Sequence, residues 1–215
     1  MTDDATTTGP PDFIGVGTQR SGTTWWFETL LGHPRIRPPR GRRKELHFFD
    51  RFGAEEMTQA HVEEYATLFR RRPGQIAGEW TPRYMGDAWA LRLIKRAAPD
   101  TRILVLLRDP IERGRYGTQL KRLHELFDEE QILVLQYERC VLDPVGQYRR
   151  TLEHLRVDDH VPDDVSSLRG QSMAAQKTDL WPELIEGLKL TLDPEVRTVC
   201  ELVPDVDLGL WPNFA

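Results

Sequence analysis

The sequence predicts an α/β fold in three layers, with a central parallel sheet flanked by helices. Short apolar runs alternate with longer segments whose apolar residues recur at helical spacing, and this alternation is typical of parallel sheets. Residues 101–107 (TRILVLL) are apolar almost throughout, as expected for a strand that is buried on both faces. A chain of 215 residues suits one such domain with a substantial core.

The same patterns predict the individual elements. We expect strands at residues 12–16, 75–79, 101–107 and 131–137, and helices at 23–31, 55–72, 87–98, 117–127 and 144–156. Two short helical patterns follow within 180–203. Residues 1–11 are polar and end in Gly9, Pro10 and Pro11, so we expect a disordered lead and a folded domain over residues 12–215.

Composition restricts the classes of function. The chain has 29 basic and 34 acidic residues and a formal net charge of −5, which argues against a global positive surface for nucleic acid or an anionic membrane. Cys140 and Cys200 predict neither a metal site nor a disulfide framework. Residues 1–10 lack the apolar stretch of a signal peptide, and no run approaches the ~20 apolar residues of a membrane helix. We therefore expect a soluble cytoplasmic protein.

The segment between the first predicted strand and helix is the main candidate anion site. Glycines let the backbone approach an anion, and the start of a helix offers unpaired N–H groups at its positive end. The segment adds hydroxyl donors and an arginine, which can bind phosphate or sulfate oxygens in a forked geometry. The candidate residues are Gly17, Thr18, Gln19, Arg20, Ser21, Gly22, Thr23 and Thr24.

This segment is a variant of the nucleotide-triphosphate P-loop. Gly17 and Gly22 have the P-loop spacing, but Thr23 stands where the P-loop has its lysine. The basic residue of the loop is instead Arg20. An ordinary glycine-rich turn between a strand and a helix is the alternative interpretation.

A second candidate follows the apolar strand, which ends in Arg108 and is followed by Asp109. Many P-loop NTPases have a Mg²⁺-binding aspartate at a comparable strand end. An arginine there suits a second phosphate better than a metal, so we expect no metal cofactor. The alternative is a surface ion pair between Arg108 and Asp109 or Glu112.

The third candidate is the segment at residues 44–49 (KELHFF), a short strand or a tight turn. In an extended segment Glu45 and His47 would face one side and Lys44 the other. Either Glu45 or His47 could accept a proton from an acceptor hydroxyl or amine, and Lys44 could stabilise negative charge on the transferred group. The alternative is a surface charge pair beside two buried phenylalanines.

Taken together, these motifs resemble those of the sulfotransferases that use 3'-phosphoadenylyl sulfate (PAPS), in particular the bacterial and heparan-type branch. Residues 20–24 (RSGTT) resemble the family's phosphosulfate loop, and residues 44–49 its K-E-x-x-F-F segment. Residues 78–84 (GEWTPRY) and 131–138 (QILVLQYE) resemble further family segments, and residues 108–113 (RDPIER) the start of its 3'-phosphate motif. The resemblance covers about residues 12–155.

The resemblance implies a P-loop-like fold and transfer of a sulfuryl group from PAPS to a hydroxyl or amine, with a carbohydrate among the candidate acceptors. It implies that Glu45 is the general base, that Lys44 neutralises the sulfuryl oxygens and that Arg108 holds the 3'-phosphate. His47 would orient Glu45 or the acceptor, or itself act as the base. No metal is implied. The alternatives are a non-catalytic nucleotide-binding relative and a P-loop kinase of a small substrate.

Two departures from the family pattern concern the 3'-phosphate motif. The serine that should close it falls at position 116, which is Tyr116. Family members also carry several dozen residues between this motif and a segment that resembles residues 114–120, whereas here the two segments abut. We therefore expect an internal deletion after the motif.

Overall fold

The structure is a computed structural model that describes residues 5–112, 114–162 and 181–215. Five of its strands form one parallel sheet in the order β3-β5-β2-β6-β7, and the other two form a small antiparallel pair, β1-β4. The predicted α/β class with a central parallel sheet is therefore confirmed. The strands are β1 (Thr7–Thr8), β2 (Phe13–Gly17), β3 (Ile36–Arg37), β4 (Arg70–Arg71), β5 (Ile76–Trp80), β6 (Arg102–Leu107) and β7 (Ile132–Gln136).

The helices lie close to their predicted positions, with three exceptions, of which the helix in the tail is described below. The short helix α5 was not predicted, and α2 is shorter than predicted because a capping box at Thr58 starts the helix there. Within the described ranges no helix is long and apolar enough to cross a membrane. The helices are α1 (Thr23–Leu31), α2 (Gln59–Thr67), α3 (Ala90–Ala97), α4 (Tyr116–His124), α5 (Tyr137–Leu142), α6 (Pro144–Leu155) and α7 (Pro182–Leu202).

Strand β6 shows how the three layers form. Its side chains alternate between the two faces of the sheet. Leu104 and Leu106 join the core under α1 and α6, whereas Ile103, Val105 and Leu107 join the core under α3, α4 and α7. Because both faces are covered, the strand is apolar throughout. The carboxyl ends of the parallel strands meet at one edge of the sheet, where ligands of open α/β sheets bind.

The prediction that residues 1–11 are disordered is wrong for Thr7 and Thr8, which form β1. Thr7 and Thr8 pair with Arg71 and Arg70 in an antiparallel ladder. The pairing partners lie more than sixty positions away in the sequence, so composition gave no sign of them. Residues 1–4 lie outside the described residues.

The expectation of two short helices in the tail is also corrected, because α7 is a single helix that contains Pro194. Proline removes one backbone donor and normally breaks a helix. Here tertiary contacts oppose that effect: Leu192, Val196 and Val199 are buried, and Glu195 accepts hydrogen bonds of 2.7 and 2.6 Å from the backbone N and Oγ1 of Thr118 in α4. Residue 180 lies outside the described ranges.

Candidate active site

The loop between β2 and α1 has the geometry expected of an anion site. It connects Gly17, the last residue of β2, to Thr23, the first of α1. Gly22 has φ +81°, and a Cβ at this position would lie 2.5 Å from the ring of Tyr137, so only glycine fits. No side chain caps α1, which leaves its first N–H groups available to a ligand.

Hydroxyl groups tie this loop to the centre of the sheet. Thr18 donates from its backbone N and from Oγ1 to the carbonyl of Leu106, at 3.0 and 2.9 Å. The hydroxyls of Thr18 and Ser21 are themselves hydrogen-bonded to each other, and both side chains are buried. The loop is thus fixed against β6 before any ligand binds.

Lys44 reaches the start of α1 from a distant part of the sequence. Its Nζ donates to Oγ1 of Thr23 at 3.1 Å, to Oγ1 of Thr24 at 3.0 Å and to Oε1 of Glu45 at 2.8 Å. A cation therefore lies at the helix terminus although the loop itself lacks the P-loop lysine. Burial lowers the pKa of Lys44, and the hydrogen bond and charge of Glu45 act in the opposite direction.

Glu45 begins a line of charged side chains along the cleft. Its Oε2 lies 3.2 Å from Nε2 of His47, whose Nδ1 lies 2.9 Å from Oδ2 of Asp50. The same Asp50 oxygen lies 3.8 Å from Nε of Arg83, which also pairs with Asp87 at 3.0 Å. The predicted proximity of Glu45 and His47 is confirmed.

The expectation that Lys44 faces the other side of the segment is wrong. Residues 44–47 form an irregular loop and 48–49 a turn, and His47 has φ +52°. The segment therefore loses the alternation of a strand, and Lys44 and Glu45 are paired in the cleft. Phe48 and Phe49 are both buried beneath them.

A buried carboxylate at the end of β5 supports this loop. Glu79 is fully buried and accepts hydrogen bonds from Tyr65 Oη at 2.6 Å, Thr81 Oγ1 at 2.6 Å and the backbone N of Leu46 at 3.2 Å. Burial raises the pKa of Glu79 to about 7, although these hydrogen bonds act to lower it. Glu79 lies beneath the backbone rather than in the cleft, which makes it a positioning residue.

Neighbouring residues of the 78–84 segment hold the same loop. Trp80 donates from its backbone N to the carbonyl of Lys44 at 2.9 Å. Tyr84 Oη accepts from the backbone N of Phe48 at 2.8 Å, and Thr81 Oγ1 accepts from Leu46 N at 3.1 Å. The segment thus supports the loop from below, and its Pro82 and Arg83 also line a cavity beside the phosphate loop.

Arg108 lies at the far side of the phosphate loop. It follows β6, its Nη1 donates to the carbonyl of Arg20 at 3.4 Å, and its guanidinium lies 5.3 Å from the ring centroid of Tyr137. Stacking against the ring orients the planar cation without neutralising it. The structure thus brings Arg108 together with residues 17–24.

Asp109 faces away from Arg108 and binds the end of the chain. Its Oδ2 accepts from Nδ2 and the backbone N of Asn213 at 2.9 and 3.2 Å, and its Oδ1 from the backbone N of Ile111. Glu138 in turn accepts from the backbone N of Asp109 at 3.1 Å and from the indole of Trp211 at 3.0 Å. The alternative of an Arg108–Asp109 surface pair is therefore not the arrangement found.

Two cavities open along the phosphate loop. One is lined by the loop together with Arg108, Tyr137, Glu138 and the C-terminal residues 210, 212 and 213. The other is lined by the loop with Arg83, Asp87 and Gln119. Gln19 and Tyr116 line both. The cavities therefore meet at the loop, one beside Arg108 and one beside the end of the Glu45–Asp87 line of charges.

Tyr116 points to the phosphate loop. It is the first residue of α4, is 3% exposed, and lines one cavity beside Ser21 and the other beside Thr18. Burial raises the pKa of its phenol, and the hydroxyls of Thr18 and Ser21 oppose the increase. Arg113 of the 3'-phosphate motif lies outside the described residues.

Several residues of the site were missed in the sequence. Glu79 and Glu138 were read only as parts of family-like segments, and Asp50, Arg83 and Asn213 were given no role. Glu79 and Glu138 each end or follow an apolar strand, which is the available signal for a buried acid at the ligand edge of the sheet. Within the described ranges no cluster of three or more His, Cys, Asp or Glu residues could hold a metal ion.

Comparison with known sequences finds proteins that are similar to part of this chain. No protein-family model matches. The chain is 32% identical over 106 residues to the membrane-associated sulfotransferase kil1 of Dictyostelium discoideum, covering 48% of this chain and 21% of that protein. It is 27% identical over 186 residues to the mouse heparan sulfate glucosamine 3-O-sulfotransferase 3B1, covering 67% of this chain and 46% of that protein. The chain thus spans less than half of the length of these curated relatives.

In the alignment with the mouse protein, this chain carries gaps. It runs over 186 positions but uses only 67% of this chain, so part of that relative has no counterpart here. An internal deletion near residue 114 stays a prediction, because the alignment extent does not place the gap.

Comparison with solved structures covers almost the whole chain. A sulfotransferase from Alicyclobacillus acidocaldarius superposes with a TM-score of 0.75 at 23% identity, over 94% of this chain and 98% of that one. The mouse sulfotransferase SULT7A1, solved in complex with PAP, superposes with a TM-score of 0.53 at 13% identity, over 96% of this chain and 90% of that one. Both likenesses concern the fold. The chain thus resembles sulfotransferases in sequence over part of its length and shares the fold of sulfotransferases over almost all of it.

Proposed function

We propose that this chain transfers a sulfuryl group from PAPS to a hydroxyl or amine acceptor. The observation that carries the proposal is the meeting of three groups at the start of α1: an uncapped helix terminus, the Lys44 ammonium and the Glu45 carboxylate. The first two suit an anionic donor, and the third suits removal of a proton from an acceptor. The metal-free reaction and the cytoplasmic location remain predictions.

The loop would bind the phosphosulfate end of the donor. The first N–H groups of α1, Arg20 and the Ser21 hydroxyl would donate to its oxygens, whereas the Thr18 hydroxyl already donates to the carbonyl of Leu106. Arg108, on the other side of the same cavity, would bind the 3'-phosphate. Its stacking on Tyr137 holds the guanidinium plane in place, which favours forked binding to a phosphate.

Glu45 is suited to act as the general base. Its side chain is 39% exposed, so an acceptor can reach it, and the ion pair with Lys44 at 2.8 Å holds the carboxylate in the cleft. Both nitrogens of His47 face carboxylates, Glu45 and Asp50. A histidine held this way orients Glu45 and has no nitrogen free to accept the acceptor's proton, which favours Glu45 over His47 as the base.

The reaction would then be an in-line displacement at sulfur. As Glu45 takes the proton, the acceptor oxygen or nitrogen forms a bond to sulfur, and the bond from sulfur to the 5'-phosphate oxygen breaks with its electron pair staying on that oxygen. Lys44 and the N–H groups of α1 stabilise the charge on the sulfuryl and phosphate oxygens. For Lys44 this requires that a ligand oxygen replace a threonine hydroxyl, because its three donors are already used.

A carbohydrate is among the acceptors to test first. Two of the relatives are named as heparan sulfate glucosamine 3-O-sulfotransferases, and Arg37, Arg40, Arg42 and Arg43 are exposed on the loop before the Lys44 segment. Such a cationic loop could attract an acidic sugar. Simple alcohols and phenols complete the acceptor panel.

The test is calorimetric titration with 3',5'-adenosine bisphosphate, the product of the donor, without Mg²⁺ and with ATP as the control ligand. We expect binding in the micromolar range that is tighter than binding of ATP and weaker in the R20A and R108A variants. R92A, which changes an exposed arginine of α3, is the matched control and should bind like wild type.

Each outcome separates the proposal from its rivals. Binding without Mg²⁺, followed by sulfuryl transfer to a member of the acceptor panel, supports a sulfotransferase. Binding with no transfer from PAPS to any member favours a non-catalytic nucleotide-binding relative, for which Tyr116 in place of the motif serine is the specific observation. Tighter, Mg²⁺-dependent binding and turnover of ATP would favour a kinase instead.

A further inference from the structure

Tyr116 occupies the position at which the family motif has its 3'-phosphate serine, yet its contacts lie elsewhere. Tyr116 is 3% exposed and lines the two cavities beside Ser21 and Thr18, whose hydroxyls oppose the rise in the pKa of its phenol. Both belong to the phosphate loop between β2 and α1. Tyr116 therefore contacts the end of the cavity that is suited to the 5'-phosphosulfate.

The position of the Tyr116 ring between the two cavities also places it near the 5'-phosphosulfate end. Tyr116 lines the cavity that contains Arg108 and also the cavity that contains Arg83. In an in-line displacement the sulfur lies between donor and acceptor. The place where a donor cavity and a neighbouring cavity meet along the phosphate loop is where such a group fits.

Counting hydrogens shows what the phenol contributes. Thr18 uses its only hydroxyl hydrogen on the carbonyl of Leu106, so its oxygen accepts from its neighbours. Ser21 and Tyr116 each have one hydroxyl hydrogen. If Tyr116 donates to this cluster, the hydroxyl hydrogen of Ser21 can turn to a ligand oxygen without leaving the Thr18 oxygen unpaired.

We propose that Tyr116 is a positioning residue of the phosphate loop, which frees the Ser21 hydroxyl to point toward the 5'-phosphosulfate of the donor and takes no part in binding the 3'-phosphate. This inference rests on the proposed function. It assigns to Tyr116 a role at the opposite end of the donor from that of the serine it replaces.

The test compares three ligands in wild type and Y116F by calorimetry, with competition where binding is weak. The affinity ratio of 3',5'-adenosine bisphosphate to 3'-AMP reports the contribution of the 5'-phosphate. The ratio of the bisphosphate to 5'-AMP reports that of the 3'-phosphate. The matched control is Y148F, which removes the phenol oxygen of another buried tyrosine. Tyr148 lies on α6, and its ring centroid is 6.4 Å from that of Trp26.

We expect Y116F to reduce the 5'-phosphate ratio about tenfold, as for loss of one hydrogen bond that supports a charged ligand, and to leave the 3'-phosphate ratio unchanged. R108A should do the reverse, and Y148F should change neither ratio. A loss of the 3'-phosphate ratio in Y116F, or no change in either ratio, would overturn the inference.

A failure of the proposed function gives a different result, since wild type itself would then not bind the bisphosphate, and the inference would fall with it. Thermal unfolding shows whether Y116F folds as wild type does. If it does not, selective tyrosine labelling of wild type replaces it. The chain has five tyrosines, and the NMR resonance of Tyr116 must then shift with 5'-AMP and stay in place with 3'-AMP; a shift with 3'-AMP only, or with neither, overturns the inference.

Discussion

The two basic-acidic pairs of the cleft, Lys44-Glu45 and Arg108-Asp109, have the same charge pattern and opposite arrangements. Lys44 and Glu45 bind each other at 2.8 Å, and the lysine spends its other donors on Thr23 and Thr24. Asp109 instead binds Asn213 and the backbone of Ile111. Arg108 contacts a carbonyl and an aromatic ring, and its charge also opposes the rise in the pKa of Glu138, which lines the same cavity.

This difference separates two functions. A paired lysine and glutamate form a preorganised reactive group, with the carboxylate held in position. An arginine whose neighbouring acid binds elsewhere keeps its charge for a ligand. Both loops are also held by a carboxylate at or just after the end of a β-strand. The fully buried Glu79 accepts from the backbone of Leu46, and the half-buried Glu138 accepts from that of Asp109. In both cases burial raises the pKa of the supporting acid.

The largest expected effect is on the reactive pair. In E45Q the amide keeps the size of the side chain but cannot accept the proton, so sulfuryl transfer should fall about 100-fold to 10,000-fold. Affinity for 3',5'-adenosine bisphosphate should stay within about twofold of wild type, because Glu45 is not expected to contact the product. Steady-state rates with an acceptor found in the panel, together with calorimetry, measure both quantities.

The control for this substitution is E56Q, at an exposed glutamate outside the cleft, which should transfer at the wild-type rate. Full turnover by E45Q would show that the Lys44-Glu45 pair is an ordinary ion pair, and His47 would become the candidate base.

The next effect concerns the acid under the reactive loop. With a pKa of about 7 instead of 4.5, Glu79 keeps a proton in the folded state that the unfolded chain has released. As the pH rises from the ordinary pKa of 4.5 to the folded-state pKa of about 7, the free energy of unfolding therefore falls, by on the order of 3 kcal/mol for this group alone. Urea unfolding at pH 5 and pH 7.5 should show this loss in wild type.

E79Q cannot titrate at this position, so its free energy of unfolding should fall less between the two pH values, whatever its absolute stability. The difference between the two proteins isolates Glu79, because the other titrating groups are common to both. Equal losses in wild type and E79Q would mean that Glu79 is ionised in the folded protein throughout this range.

The smallest expected effect concerns the pairing of Asp109 with Asn213 in place of Arg108. D109A and N213A should each destabilise the fold, and a double-mutant cycle should give a coupling energy of about 2 kcal/mol, as for one hydrogen bond to a charged group. Chemical unfolding of the four proteins measures the coupling. A coupling near zero, or a lower affinity for the bisphosphate in D109A with no loss of stability, would indicate that Asp109 acts on Arg108 and not on the C-terminal segment.

Much of the site was readable because it is local in sequence. Residues 17–24 connect one strand to the next helix, so spacing alone places their glycines and hydroxyls at the helix terminus. The apolar runs fixed the strands of the parallel sheet to within a few residues, because strands buried on both faces have no polar alternation. The positive φ of His47, which removes the alternation expected at residues 44–49, had no comparable signal.

The sequence by itself determined the α/β class, the phosphate loop and the presence of Lys44, Glu45 and Arg108 at the ends of predicted elements. The tertiary structure alone decided that Lys44 binds the start of α1, that Glu79 and Glu138 lie beneath the two loops, that Asn213 binds Asp109 and that Tyr116 faces Thr18 and Ser21. The physical reason is range. Loop and strand patterns arise from neighbouring residues, whereas these contacts join residues that are tens of positions apart and meet only when the parallel strands bring their carboxyl ends to one edge of the sheet.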